Sequence, residues 1–148
     1  MSRRVEYSPQ IDFWLVIERV RDRFVDAGYP LAKLTRVEMD KKIDKWAQGK
    51  RTVAACSGDG RTIWLSPRLK TFDLLRQQAL IAHEFGHAVQ GFYGDVVTGD
   101  DDIERDADKV AEIAMKKPLF YGMIEGRLIQ TFDPRAPDAT RPRPLGLR

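Results

Sequence analysis

His83 and His87 are the only two histidines in the 148-residue chain, and they stand four residues apart with Glu84 directly after the first. On an α-helix that spacing puts both imidazoles on one face, one turn above the other. From there both can reach a single tetrahedral metal ion, and zinc is the usual occupant. Glu84 falls on a neighbouring edge of the same face, where it can hold a water instead of the metal. His83-Glu84-Phe85-Gly86-His87 therefore reads as two ligands and a general base for hydrolysis. By composition alone such a pattern arises in roughly one in a few hundred chains of this length, so its flanks decide.

The flanks favour a buried helix from about Thr71 to Phe92. Leu74, Gln78, Ile81, Phe85, Ala88 and Phe92 recur at helical spacing, and Leu75, Ala79, Ala82, Gly86 and Val89 form a second stripe beside them. A helix apolar over that much of its surface is largely enclosed. Leu80, His83 and His87 then share a third stripe that cannot simply face bulk water. Two enclosed imidazoles need partners, and one metal ion would satisfy both.

A catalytic zinc keeps three protein ligands and one open position. With both histidines used, the third ligand must be a carboxylate or, as a weaker alternative, a tyrosine. Cys56 is the single cysteine, which excludes an internal disulfide and a cysteine-based zinc cluster; it reads as a small apolar strand residue, with a catalytic thiol as the remote alternative. Glu104 and Asp108 lie four apart on a later helix and share a face. That face borders the apolar stripe Ile103, Ala107, Val110 and Ala114, and the helix is expected from about Asp101 to Lys117. Sixteen residues lie between His87 and Glu104, enough for an antiparallel return. Asp106 and Asp108 are alternative direct ligands. Asp100, Asp101 and Asp102 read as dipole-complementing residues at a helix start, with a second metal site as the alternative.

The remaining chain is organised around this pair of helices. Ser8-Pro9 reads as an N-cap and first-turn proline, followed by a core helix with Phe13, Ile17, Val20 and Phe24. Leu34 to Met39 alternates as a strand. Thr52 to Cys56 and Thr62 to Ser66 bracket Ser57-Gly58-Asp59-Gly60 and predict a hairpin. Thr71 is expected to cap the motif helix, and Leu119 to Ile129 to form one more short helix. Four of the eight prolines and four arginines fall beyond residue 130, which predicts a domain over 1–130 and an extended or disordered tail over 131–148.

The combination His83-Glu84-x-x-His87 with Glu104-x-x-x-Asp108 resembles the gluzincin pattern of thermolysin-like zinc peptidases. It is more similar still to their reduced forms, the minigluzincins and the ImmA/IrrE-type peptidases of bacteria, phages and mobile elements. The resemblance covers roughly residues 53–115. It implies an α+β, zincin-like fold: a small sheet or hairpin packed on the active-site helix, with a second ligand-bearing helix. It implies one Zn²⁺ per chain, held by His83, His87 and Glu104, with Glu84 as general base. Asp108 would hydrogen-bond His83 and fix its ring. The strand Thr62, Ile63, Trp64, Leu65 and Ser66 would be the edge strand that binds substrate backbone. No histidine remains to stabilise an oxyanion as in thermolysin-like enzymes, which leaves Tyr93 and Tyr121, with core packing as the other reading of both. The metzincin spacing is absent: no third histidine follows.

The implied activity is a zinc endopeptidase acting on a protein or peptide. Hydrophobic content of 43% and charged content of 32% fit a soluble globular chain, and no apolar run approaches a membrane span. The polar start Met1-Ser2-Arg3-Arg4 lacks a signal-peptide core, so a cytoplasmic location is expected. A different class of function, a metal-stabilised adaptor or a regulatory or virion module, would use the basic tail to contact nucleic acid or a protein. The formal charge of +3 permits such a partner without arguing for it. A structural zinc, however, has no need of a general base.

Overall fold

Asp73 opens the helix around which the other elements assemble: its carboxylate accepts a hydrogen bond from the Arg76 backbone N–H, satisfying an otherwise orphaned donor of the first turn. The computed structural model describes residues 12–45, 53–94, 100–117, 119–124 and 127–132, with backbone alone at 44–45, 100–101, 120–124 and 127–132. Three α-helices are described: α1 (Phe13–Asp26), α2 (Leu74–Tyr93) and α3 (Asp100–Met115). The strands are β1 (Arg36–Met39), β2 (Ala54–Cys56), β3 (Thr62–Leu65), β4 (Leu119–Ile124) and β5 (Arg127–Phe132). Short 3₁₀ helices occupy Pro30–Leu34, Lys41–Lys45 and Pro67–Thr71. The chain is a small α+β fold.

α2 carries the motif and ends at Gly94, whose left-handed backbone (φ 65°) closes the helix. It touches α1, α3, β2, β3 and β5, so it is enclosed on most sides, as its double apolar stripe requires. Ala79, Ile81, Ala82, Phe85 and Ala88 are fully buried. α1 lays Phe13, Val16, Ile17, Val20 and Phe24 onto this core, and the Phe24 and Phe85 rings meet at 5.5 Å. α1 begins with Asp12 as its cap; the Ser8-Pro9 start lies outside the described residues.

The sheet has the order β1-β3-β2, with β1 parallel and β2 antiparallel to β3. Ile63 and Leu65 of β3 are buried in the core, and the β2–β3 hairpin is the one the Gly/Asp turn predicts. Its turn sits directly on α2. A side-chain carbon at Gly91 would fall 2.5 Å from the Gly60 nitrogen and 2.8 Å from the Gly58 oxygen, so only glycine lets the hairpin seat there.

Two local expectations are corrected. Thr71 does not cap α2: it closes the preceding 3₁₀ helix, its hydroxyl donating to Arg68 O at 2.7 Å, because Ser66 and Pro67 start that turn first. Leu119 to Ile129 is not helical. β4 and β5 pair antiparallel from Leu119↔Phe132 to Ile124↔Arg127, in keeping with the aromatic and branched residues of Leu119–Ile124 and with Gly126 between the strands. β5 also takes in Thr131 and Phe132, which composition assigned to the tail; residues 133–148 lie outside the described set. Among the described residues no helix is long and apolar enough to cross a membrane.

Candidate metal centre

α2 and α3 meet backbone to backbone at Gly86. A side-chain carbon there would lie inside the van der Waals shell of the Ala107 carbonyl oxygen and 3.0 Å from its carbonyl carbon and Cα. The glycine inside the motif therefore sets how closely α3 approaches. Ala107 is flanked on α3 by Glu104, one turn before, and Asp108, immediately after. Both are thereby delivered to the histidine face of α2.

Three ligand-type side chains converge. His83 Nε2 lies 2.7 Å from Glu104 Oε1, His87 Nε2 lies 3.1 Å from Glu104 Oε2, and the two Nε2 atoms are 3.1 Å apart. The rings stand nearly perpendicular, at 87°. These separations approach the spacing of about 3.3 Å that ligands at 2.0–2.1 Å from a tetrahedral ion would have.

Hydrogen-bond bookkeeping sharpens the observation. His83 Nδ1 is 2.7 Å from Asp108 Oδ1, and a buried carboxylate accepts only, so Nδ1 carries the ring hydrogen. His87 Nδ1 is 2.8 Å from Gln90 Oε1. The Gln90 amide is oriented by its other contacts, since Nε2 donates to Ile103 O at 2.8 Å and to Asp106 Oδ2 at 3.0 Å. In their neutral form both rings thus direct bare Nε2 lone pairs at the Glu104 carboxylate. Three acceptors facing one point repel unless a cation or protons sit among them. A zinc-type donor set of two imidazoles and a carboxylate fits that demand.

The electrostatics agree in sign. Burial pushes the His83 pKa down, but its hydrogen bonds to Asp108 and Glu104 and the charge of Glu84 outweigh it and hold it well above the ordinary imidazole value. His87 is likewise raised: burial opposes, and the Glu104 bond and carboxylate charges prevail. For Glu104 burial acts upward, yet the two imidazoles dominate and hold its carboxyl far below the usual range. Glu84 is the contrasting group. It is only 7% exposed, and no hydrogen-bond partner to its carboxylate is found among the described residues. Burial, the main cause, raises its pKa against the opposing pull of both histidines.

A cleft of about 670 Å³ opens over this cluster, walled by the 53–58 segment, Leu80, Gly91 and Ile103, with His83, Glu84, His87, Gln90 and Glu104 in its lining. β3 is not among its walls. Thr62, Ile63, Trp64, Leu65 and Ser66 cannot form an edge that receives a substrate strand, because β1 and β2 occupy both sides of β3. The cleft-side strand is β2. Ser57 N–H bonds Thr62 O, and Ser66 N–H bonds Val53 O. By the alternation of an antiparallel ladder, Cys56 then turns its N–H and C=O away from β3, toward the side on which β2 has no neighbour among the described strands.

Tyr93 is placed elsewhere. It is 45% exposed, its hydroxyl accepts from the Leu31 N–H at 3.2 Å and its ring packs on Tyr29. Tyr121 lies on β4, and its side chain is outside the described residues. Asp106 is turned to Gln90 rather than to the three ligand atoms. Cys56 is half-buried on β2 with its thiol protonated: burial, then the charges of Glu84 and Asp59, push its pKa up. Sequence reading missed Gln90. Its signal is modest, a long amide one helical turn after His87. Neither family models, nor curated proteins, nor solved structures give a match to this chain.

Proposed function

We propose that the chain is a zinc-dependent peptidase with a zincin-like arrangement of the gluzincin type, His83, His87 and Glu104 being the ligands. The observation that carries this reading is the pairing of two features. Three metal-type acceptors converge, the neutral rings having their hydrogens committed elsewhere, and Glu84 stands beside them in the cleft with no hydrogen-bond partner among the described residues. A purely structural zinc explains the first and gives no reason for the second, a carboxylate lining the cleft beside the three ligand atoms.

Zinc in that position would lower the pKa of a water toward neutrality and polarise a carbonyl. Glu84 takes a proton from the attacking water and returns it to the leaving amine as the C–N bond breaks. Asp108 and Gln90 keep the two imidazoles aimed. An extended peptide is received along β2, with the outward N–H and C=O of Cys56 as the first backbone contacts, while the small side chains of Ala54 and Ala55 leave room for it.

Glu84→Gln tests the reading directly. Zinc content should stay at one per chain while cleavage of an unbiased peptide mixture is lost. Cleavage by the variant at the wild-type rate removes Glu84 as base. Stoichiometric zinc without cleavage in the wild type favours the metal-stabilised adaptor instead.

A further inference from the structure

Gln90 sits one turn beyond His87 and is the link between that ring and α3. Its amide has only one workable orientation. Ile103 O and the Asp106 carboxylate are acceptors, so the NH₂ group must face them, at 2.8 and 3.0 Å. The amide oxygen is left pointing at His87 Nδ1, 2.8 Å away. Reversing the amide would set two acceptors against its oxygen and a donor against the ring N–H. The chain Asp106–Gln90–His87 therefore transmits one polarity from α3 to the imidazole.

We propose that Gln90, anchored by Asp106, is the positioning residue for His87: it selects the ring tautomer with hydrogen on Nδ1 and the Nε2 lone pair turned into the site. The consequence for affinity rests on the zinc reading above, whereas the tautomer itself does not. His83 receives the same service directly from Asp108. Among the described residues no carboxylate lies at His87 Nδ1, and Gln90 supplies the acceptor there. Without it, His87 gains by the opposite tautomer, because an Nε2–H could then donate to Glu104 Oε2, 3.1 Å away. That tautomer cannot bind metal through Nε2.

The experiment is ¹⁵N NMR of the histidine rings in the metal-free protein, together with zinc titration against a competing chelator. In the wild type, at a pH high enough to leave the ring neutral, His87 should show the Nδ1–H form. Gln90→Met keeps length and removes both polar atoms; His87 should shift toward Nε2–H, and zinc affinity should fall by about ten- to a hundredfold, the usual range for losing such a support. Gln90→Glu with Asp106→Asn reverses the donor and acceptor between these two residues and keeps an acceptor at His87, though it sets a carboxylate oxygen against Ile103 O; it should restore the Nδ1–H form and part of the affinity. A Gln90 that merely ties α2 to α3 predicts otherwise: Gln90→Met would lower the melting temperature and leave the tautomer and zinc affinity unchanged, which overturns the proposal. Should the wild type take no zinc, the zinc reading fails, and the nitrogen spectra still decide the role of Gln90 in either direction.

Discussion

Replacing Gly86 by alanine tests whether the α2–α3 approach sets the site. Two opposing effects have to be weighed. Alanine is favoured over glycine in a helix interior by about 1 kcal/mol, so on propensity alone the variant should be more stable. The added carbon, however, would stand 3.0 Å from the carbonyl carbon and Cα of Ala107 and closer still to its oxygen. Carbon pairs prefer separations of about 3.5–4.0 Å, and the obstacle is backbone, which cannot turn aside as a side chain can. Relief requires α3 to retreat by about 1 Å, and overpacking of this kind costs about 1–3 kcal/mol or more. The clash wins, and the variant should be less stable than the wild type.

The displacement matters more for chemistry than for stability. Glu104 and Asp108 move with Ala107, and their contacts to His83 are both 2.7 Å. Lengthened by about 1 Å they cease to be hydrogen bonds, and misplacement on that scale can cost about a hundredfold in catalysis. Zinc affinity of Gly86→Ala should therefore fall at least tenfold in a chelator competition, in protein shown to be folded by circular dichroism. Gly58→Ala is the control, since nothing lies within 4 Å of its would-be side chain. Gly86→Ala binding zinc as tightly as the wild type, at equal or higher melting temperature, would refute the argument.

Three shorter expectations follow from other features. Removing zinc with a chelator should lower the melting temperature by roughly 8–16 °C, if the metal is present at about a thousand times its Kd and contributes about 4 kcal/mol; an unchanged melt would mean that the folded state does not take the ion. Cys56 should alkylate with iodoacetamide at pH 8 at least about tenfold more slowly than in the denatured chain, because its raised pKa keeps the thiol protonated where an ordinary cysteine is partly thiolate; equal rates would refute the burial argument. Lys116 closes α3 with φ 58°, a conformation costing a side-chain-bearing residue about 1–2 kcal/mol. Lys116→Gly should thus raise the melting temperature by about 2–8 °C, and a fall would show that the lysine side chain contributes more than the strain costs.

How much of this was legible in the sequence depended on the range of the interactions. The motif helix was readable because its apolar period and its two histidines are local. Glu104 and Asp108 stood out because their spacing puts both on one face beside an apolar stripe, and the structure brings both to His83. The β2–β3 hairpin announced itself through its turn. The place of β3 in the sheet did not: β1 pairs with it in parallel across more than twenty residues, and nothing in either strand's alternation says whether a third strand covers its far side. The 119–132 segment misled because a short apolar run is ambiguous between helix and strand by period alone. Gln90 escaped notice for a related reason. Its role depends on a carbonyl of another helix, and main-chain atoms leave no mark in a sequence.

The same long-range dependence makes pairing of the two helices and the proposed metal binding one problem. α3 presents Glu104 and Asp108 to His83, and through Gln90 it anchors His87 by Asp106 and the Ile103 carbonyl. The close approach at Gly86 thus gathers Glu84, Glu104, Asp106 and Asp108 around two imidazoles. That is an excess of negative charge in a partly enclosed volume, and the raised histidine pKa values express it. Protons taken up by the two rings answer the excess by occupying the Nε2 positions from which a metal would be bound. A divalent cation answers it with more charge at one point and leaves both Nδ1 hydrogens where Asp108 and Gln90 already hold them. Of the four, Glu84 is the carboxylate with no hydrogen-bond partner among the described residues, which leaves it free for the proposed role of proton acceptor.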